Sequence, residues 1–393
     1  MKYRKIWPDK MFDGYRILKD QVLICTMDGQ VESIVPVPDA GDEVERVSGF
    51  LSPGFVNCHC HLELSHMKGK IPERTGLVDF VFKVVTERAA TEDEITEAII
   101  AAETEMKAAG IVAVGDICNN LSTLSQKEKG NLFYYNFIEA SGWLPTVSAA
   151  RFERAKEIYD AFTSIQHPKF NIQNNSIVPH AAYSVSENLW KAIQPYFETK
   201  VVSIHNQETV FEDEFFLKGT GDFQRMYELM KIDNSHHIPT NKSSLQSYYQ
   251  KLIGAEKIIL VHITFTGQAD IDFVKKVEAS NPSTETFFSL CINANLYIED
   301  ALPPIELFRE NSCRIVLGTD ILGSNWSLNI LDEIKTIRKH FSQISLEEML
   351  GWATINGARA LNADSWLGSF EKGKKPGVVL LSEASLEIAE LLF

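Results

Sequence analysis

The chain lacks three features that would each assign it to a distinct class of protein. It has no cluster of basic residues, and its net charge of −15 over 393 residues argues against nucleic acid or an anionic membrane surface as a partner. No apolar stretch approaches the roughly 20 residues of a membrane-spanning helix. The basic start at residues 1–5 is not followed by the apolar segment of a signal peptide. We therefore expect a protein that binds neither nucleic acid nor membrane.

The cysteines show no spacing typical of a disulfide framework. There are six, scattered along the chain, and several lie in patterns that predict buried strands. This is typical of reduced thiols in the core of a cytoplasmic protein. Hydrophobic residues make up 45% and charged residues 23% of the chain, an ordinary globular composition. The length suffices for one large core and a small accessory domain.

Eight short apolar runs alternate with helical segments along the middle of the chain. The predicted strands lie near residues 52–57, 111–116, 132–138, 175–180, 200–205, 258–263, 286–291 and 314–319. Thr91 and Ser345 each open a helix with a capping box. Strands that alternate with helices indicate a parallel sheet, and eight of them predict an α/β fold of the (β/α)8, or TIM-barrel, type.

The two ends of the chain predict a second, smaller unit. Residues 22–27 and 30–37 are separated by Asp28-Gly29, a strong hairpin signal. The segment 372–381 is a turn followed by a strand, which we expect beside the N-terminal strands. We predict a β-sandwich from residues 1–50 plus 365–393 and a barrel from residues 51–364. Within the barrel, the segment 208–245 is expected to hold an insertion near the site.

Polar residues suited to metal chemistry end four of the predicted strands. Two of them, His59 and His61, alternate along one strand and therefore project from the same face. In α/β barrels the chemistry lies at the carboxyl ends of the strands. Imidazoles and a carboxylate together can hold a divalent cation and leave room for a water molecule. The full set is His59, His61, His205, His262 and Asp320, with Glu208 three residues after His205.

Four motifs, in this order, resemble those of the amidohydrolase superfamily, and most closely those of its cytosine-, guanine- and adenosine-type deaminases. They are PGFVNCHCHLELS (53–65), HNQE (205–208), His262 and GTDILGSN (318–325), and the closing KKPGVVLL (374–381) is also similar. The resemblance covers nearly the whole chain. It implies a metal-dependent enzyme that hydrolyses a carbon–nitrogen bond of a small heterocyclic substrate. The HLELS run and the KKPG end look like those of aminodeoxyfutalosine deaminases, which remove the 6-amino group of an adenine nucleoside analogue.

The resemblance also implies a role for each of these residues. Asp320 would act as general base and Glu208 as general acid, while His262 would polarise the attacking water or the tetrahedral intermediate. Superfamily members with two metal ions usually carry a carboxylated lysine at the end of the fourth strand, where this chain has His180. One divalent ion is therefore expected, with zinc favoured and iron compatible with the ligand types. The implied metal ligands are His59, His61, His205 and Asp320.

Substrate contacts are expected from His180 and from three aromatic residues that follow barrel strands. These are Trp143, Tyr183 and Trp326, whose rings would either stack on a flat heterocycle or pack at the rim. Asp116 and Glu139 end the second and third strands, where they would hydrogen-bond the ligand shell or the substrate. The remaining histidines are expected at the surface or in loops, and they are His66, His167, His236, His237 and His340.

Two loops depart from the related patterns and leave the substrate open. The sequence CINAN (291–295) stands where relatives often read CPxSN, and Ile321 follows the aspartate where relatives often carry serine. The favoured reaction is hydrolytic deamination of an amino-substituted heterocycle, and the alternative is hydrolysis of a cyclic amide or imidazolone. A non-catalytic scaffold is a more distant alternative, because such relatives lose metal ligands and this chain retains all four. A homodimer is an expectation that rests on the superfamily alone.

Overall fold

The computed structural model describes residues 2–165, 174–382 and 385–393. In chain order its strands are β1 (Tyr3–Trp7), β2 (Lys10–Phe12), β3 (Ile17–Leu18), β4 (Gln21–Thr26), β5 (Val31–Pro36), β6 (Glu45–Arg46), β7 (Phe50–Pro53), β8 (Phe55–Cys60), β9 (Ile111–Cys118), β10 (Phe133–Ala140), β11 (Asn175–Pro179), β12 (Val201–Asn206), β13 (Lys257–His262), β14 (Glu285–Leu290), β15 (Arg314–Leu317), β16 (Val378–Ser382) and β17 (Glu387–Leu391).

The helices lie mostly between these strands. They are α1 (Leu77–Glu87), α2 (Glu92–Ala108), α3 (Leu124–Lys127), α4 (Ser148–Ser164), α5 (Glu187–Ile193), α6 (Val210–Lys218), α7 (Phe223–Leu229), α8 (Ser244–Tyr248), α9 (Gln268–Ser280), α10 (Ile292–Glu299), α11 (Ile305–Glu310), α12 (Ile330–His340), α13 (Leu346–Gly351) and α14 (Gly357–Ala360). Among the residues described, no helix combines the length and the apolar character that crossing a membrane requires.

The eight predicted strands of the central region are all present and form two parallel sheets of four strands. The first has the order β11-β10-β9-β8 and the second the order β12-β13-β14-β15. Every residue of β8, β12 and β13 is buried, as expected for parallel strands covered on both faces. Apolar and β-branched residues fill these strands because both of their faces pack against other elements.

The two parallel sheets approach each other at both margins without merging into one sheet. At one margin Cys60 pairs with Asp320, and at the other Ala181 pairs with His205, each as an isolated parallel bridge. β11 ends at Pro179, which has no N–H group to extend the ladder, and Asp320 has a left-handed φ of +60°, which turns it out of the strand direction. The α/β fold is confirmed, whereas a continuously hydrogen-bonded closed barrel is not.

Strands from the two ends of the chain form two further sheets, with the orders β5-β4-β1-β6 and β17-β16-β7-β2-β3. The predicted hairpin is the antiparallel pair β4–β5, and Gly29 supplies the left-handed φ of +83° in its turn. β16 pairs with β7, so the C-terminal strand lies beside N-terminal ones as expected. A separate small core that includes Ile6, Leu23 and Leu51 supports these sheets.

Gly54 joins β7 of these terminal sheets to β8 of the first parallel sheet. Its N–H donates to the carbonyl oxygen of Pro376 at 3.0 Å. A Cβ atom at this position would lie 2.8 Å from that oxygen and 2.3 Å from Val112, so only glycine fits this junction. Both predicted helix starts are present, since the side chains of Thr91 and Ser345 each accept the N–H of the residue three positions on.

Candidate active site

Three histidines and one aspartate converge at the carboxyl ends of β8, β12 and β15. One ligand-type atom of each of His59, His61, His205 and Asp320 lies within 4.8 Å of all the others. The Nε2 atom of His61 lies 3.2 Å from that of His59 and 3.3 Å from that of His205. Oδ1 of Asp320 lies 3.4 Å from Nε2 of both His59 and His61. The structure therefore brings together the four residues that the sequence analysis singled out as metal ligands.

The donor set fits one divalent metal ion. Tetrahedral zinc with bonds of about 2.0–2.1 Å separates its ligand atoms by about 3.3 Å, close to the 3.2–3.4 Å of the four distances given above. Burial lowers the pKa of His61 to about 3 and that of His205 well below its usual range, so both rings are neutral near pH 7. Neutral nitrogens whose lone pairs face one another repel unless a cation lies between them.

Several hydrogen bonds fix the orientation of these candidate ligands. The Nδ1–H group of His205 donates to the carbonyl oxygen of His180 at 2.8 Å, which leaves Nε2 to face the cluster. The hydroxyl of Ser324 donates to Oδ2 of Asp320 at 2.6 Å, so that Oδ1 is the oxygen that faces the histidines. The side chain of Asn57 bonds both the N–H (3.1 Å) and the hydroxyl (2.7 Å) of Thr319, and thereby ties β8 to the loop after β15.

Glu208 and His262 lie side by side next to this cluster. Oε1 of Glu208 is 3.7 Å from Nε2 of His262, and both side chains are buried. Burial raises the pKa of Glu208 well above its usual range, and the negative charges of Asp320 and Glu299 raise it further. Glu208 therefore holds a proton at a pH where an exposed glutamate would be ionised. The backbone N–H of Glu208 donates to Oε2 of Glu212 at 3.3 Å, which steadies the loop after β12.

Of the four expected substrate contacts, His180 lies closest to the cluster. Its ring centre is 4.7 Å from that of His205, and its Nδ1 bonds the hydroxyl of Ser184 at 2.7 Å. The ring of Tyr183 is buried and lies 6.0 Å from the His180 ring. Trp326 is 50% exposed, and its indole N–H donates to Glu73 at 2.9 Å, which places it on the rim. Substrate binding by these residues stays a prediction.

Trp143 contacts the segment 208–245, which holds α6, α7 and the start of α8. Its ring stacks on Tyr227 at 5.6 Å, and its indole N–H donates to Asn234 at 2.7 Å. His236 and His237, expected in loops, also pack against this ring. His167 lies outside the described residues. The insertion therefore packs its aromatic rings against Trp143 in the loop after β10.

Asp116 and Glu139 both contact the ligand-bearing loops. Oδ1 of Asp116 accepts the N–H of Leu62, the residue after His61, at 2.8 Å. Oε1 of Glu139 lies 3.5 Å from Nδ1 of His205, and its Oε2 accepts from Asn119 at 3.0 Å. Burial raises the pKa of Glu139 to about 7.

The sequence analysis did not assign roles to several residues that support the site. They are Asn57, Ser324, Asn295 and the buried Lys127. The first three lie inside motifs that were already singled out, so their position in those motifs was the available signal. Lys127 had no comparable signal, because its partners come from distant parts of the chain.

Comparison with known proteins identifies the family. Residues 50–390 match the family model described as the amidohydrolase family. The chain belongs to the amidohydrolase family. Its expected resemblance is thereby confirmed.

Three of the proteins that this chain resembles are deaminases by name. A 5-methylthioadenosine/S-adenosylhomocysteine deaminase of Teredinibacter turnerae is 25% identical, over 95% of this chain and 82% of its own length. A 5′-deoxyadenosine deaminase of Methanococcus vannielii is 26% identical, over 88% and 79%. The crystal structure of Helicobacter pylori aminofutalosine deaminase with methylthio-coformycin has a TM-score of 0.82 at 19% identity, over 99% of this chain and 98% of its own.

Proposed function

We propose that this amidohydrolase is a metal-dependent deaminase that replaces the amino group of a heterocycle by oxygen from water and releases ammonia. The observation that carries the proposal is the buried Glu208, whose pKa is raised by burial, beside His262 and the cluster of three histidines and Asp320. Such a carboxyl group can give a proton to a ring nitrogen, which deamination of an amidine-like carbon requires. The deaminase names of the relatives support the same reaction.

We further propose that His59, His61, His205 and Asp320 hold one divalent ion, zinc in preference to iron. The spacing of their ligand atoms and the lowered pKa values of His61 and His205 support this assignment. When bound, such an ion lowers the pKa of a water molecule so that hydroxide is available near neutral pH.

The residues of the chain then account for each proton in the reaction. As the water oxygen bonds to the ring carbon, Asp320 takes one water proton and Glu208 protonates the adjacent ring nitrogen. The carbon becomes tetrahedral, with a hydroxyl and an amino group. Asp320 then returns its proton to the amino nitrogen, the carbon–nitrogen bond breaks with its electron pair on nitrogen, and ammonia leaves. The hydroxyl proton passes to Glu208, which restores both residues and leaves a ring carbonyl.

The proposed substrate is a purine-nucleoside-like compound, with 6-amino-6-deoxyfutalosine as one candidate. Support comes from the relatives, whose names specify adenosine derivatives or aminofutalosine. The partly buried ring of His180 and the buried ring of Tyr183 would flank a flat heterocycle near the cluster, with Trp143 and Trp326 at the edges. In this arrangement His262 contacts the attacking water or the tetrahedral carbon's oxygen.

We also propose that the eight central strands act as one TIM barrel over residues 51–364, with a β-sandwich from residues 1–50 and 365–393. The bridges at both margins of the two parallel sheets support a barrel, as does the likeness in fold to the aminofutalosine deaminase. The small core that β1, β4 and β7 share supports a separate terminal unit.

The proposal is tested by ammonia release from purified, zinc-loaded protein. The panel contains adenine nucleosides including 6-amino-6-deoxyfutalosine, guanine and its 8-oxo form, and aminated triazines and pyrimidines. We expect release from at least one compound, and release from the same compound at least about 10²-fold slower with the Glu208→Gln variant at matched zinc content. Silence across the panel, with about one zinc ion bound per chain, would favour hydrolysis of a cyclic amide instead.

A further inference from the structure

Asn295 makes two hydrogen bonds to His262. Oδ1 of Asn295 lies 2.9 Å from Nδ1 of the His262 ring, and Nδ2 of Asn295 lies 3.4 Å from the carbonyl oxygen of His262. Asn295 lies one turn into α10, where its backbone N–H donates to the carbonyl oxygen of Cys291 at 2.9 Å. Both side chains are almost completely buried.

These two contacts determine where the proton of the His262 ring lies. A carbonyl oxygen can only accept a hydrogen bond, so the NH₂ group of Asn295 must face it. The amide oxygen of Asn295 then faces Nδ1 of His262, and Nδ1 must carry a proton to donate to it. A neutral ring protonated at Nδ1 has a lone pair at Nε2.

The backbone around His262 has a strained conformation, which bears on its hydrogen bonds with Asn295. His262 has a φ of +68° and Ile263 a φ of +49°, and a left-handed conformation is rare for a β-branched residue. Left-handed conformations at two successive non-glycine residues are unfavourable, and such strain persists where surrounding contacts fix it. The left-handed turn brings the His262 carbonyl within reach of Nδ2 of Asn295.

The other ring nitrogen faces the reaction site. Nε2 of His262 is 3.7 Å from Oε1 of Glu208, too far for a hydrogen bond between them. The rings of His59 and His205 lie 5.8 Å and 5.5 Å from the His262 ring, between centres. The lone pair at Nε2 is therefore held between the proton donor and the candidate metal ligands.

We propose that Asn295 is a positioning residue that holds His262 with its proton on Nδ1, so that Nε2 accepts a hydrogen bond from the attacking water instead of donating one. This inference rests on the proposed deamination. It gives His262 a defined direction of hydrogen bonding: the ring draws the water's O–H toward itself and turns the oxygen's lone pair toward the substrate carbon. It also assigns a role to Asn295, the last residue of the sequence CINAN.

The test combines nuclear magnetic resonance with kinetics on the zinc-loaded protein. ¹⁵N-labelled histidine distinguishes a ring nitrogen that bears a proton from one that does not, and the His262 signals are assigned by their loss in His262→Asn. In the wild type we expect the proton on Nδ1. In Asn295→Leu we expect a mixture of tautomers and a fall in kcat of about 10²–10³-fold with little change in KM, because Nε2 of His262 would often carry a proton and could not accept the hydrogen bond from the attacking water.

Two further variants separate positioning from stability. Asn295→Asp keeps an acceptor for Nδ1–H, so we expect it to retain the tautomer and a kcat within about tenfold of the wild type. Asn293→Leu is the matched control, since Asn293 is buried in the same helical turn but contacts Glu333 through its backbone N–H. We expect this control to keep the wild-type tautomer and kcat.

Specific results would overturn the inference. A proton on Nε2 of His262 in the wild-type protein would overturn it. A wild-type kcat in Asn295→Leu would also overturn it. An equal loss of activity in Asn293→Leu would reduce the effect of Asn295 to packing. The tautomer measurement needs no substrate, so failure of the deamination proposal and failure of this inference are distinguishable.

Discussion

The buried ion pair between Lys127 and Asp116 offers a prediction whose size follows from the structure. Nζ of Lys127 lies 2.5 Å from Oδ2 of Asp116 and 2.8 Å from Oδ1 of Asn136, and the pair is almost completely buried. Oδ1 of Asp116 accepts the N–H of Leu62, which directly follows the candidate metal ligand His61. Lys127→Met removes the cation and leaves a buried carboxylate behind the loop that carries the candidate ligand His61.

We expect Lys127→Met to lower the free energy of unfolding by about 3–5 kcal/mol, the usual cost of breaking a buried pair at one partner. An unfolding entropy of about 2.1 cal/mol/K per residue gives about 0.8 kcal/mol/K for 393 residues, so Tm should fall by about 4–6 °C. Scanning calorimetry of zinc-loaded protein measures this shift. The loss should be smaller for the double variant Lys127→Met/Asp116→Asn, because the amide is neutral and still accepts the Leu62 N–H.

The pH dependence of the Lys127→Met loss has a definite sign. Without the lysine, burial holds the pKa of Asp116 above its unfolded value of about 4, so the unfolding free energy falls as pH rises through the folded pKa. The difference in unfolding free energy between the variant and the wild type should therefore increase from acid toward neutral pH. A loss below about 1 kcal/mol, or a double variant no more stable than the single one, would refute the role given to this pair.

Three further predictions concern the site itself. Glu208→Gln should lower kcat by about 10²–10⁴-fold in steady-state assays while metal content and fold are retained, because only the transferable proton is lost; wild-type turnover would contradict this. Asp320→Asn should lose activity by orders of magnitude and bind zinc more weakly in competition with a chelator, because a charged ligand becomes neutral. Ser324→Ala should weaken zinc affinity by about 10–100-fold, because Oδ2 of Asp320 loses its donor, with chelator competition as the measurement; unchanged affinity would show that Ser324 does not orient the aspartate.

Much of the site could be predicted from the sequence because strand ends carry positional information. His59 and His61 share a face by strand alternation, and parallel strands bring His205, His262 and Asp320 to the same edge. Those relations depend only on local periodicity and on the order of the strands. The four candidate ligands therefore come together in the structure where the pattern placed them.

Contacts between distant segments could not be predicted in the same way. Lys127 finds Asp116 and Asn136 through the packing of α3 against β9 and β10, which no local pattern specifies. The grip of Asn295 on His262 depends on left-handed φ angles at His262 and Ile263, where propensity alone predicts extended backbone. The contact of Trp143 with the insertion depends on how a long connection folds back, which also has no signal in local periodicity.

The isolated bridges between the two parallel sheets are a further feature that the sequence pattern does not predict. Eight alternating strands predict a closed barrel, and each of the eight is present. Whether the ladder continues past Pro179 and Asp320 depends on single residues at the strand ends. The missing N–H of Pro179 and the left-handed φ of Asp320 are local features that interrupt it.

The most direct test of the central claim is the mass of the product formed by zinc-loaded protein in ¹⁸O-labelled water. For a compound that the enzyme consumes, the account predicts that one amino group is replaced by a single ¹⁸O-labelled oxygen, with one ammonia released for each product molecule. A product that has gained a whole labelled water and kept its nitrogen would contradict deamination and indicate that a ring amide had been opened.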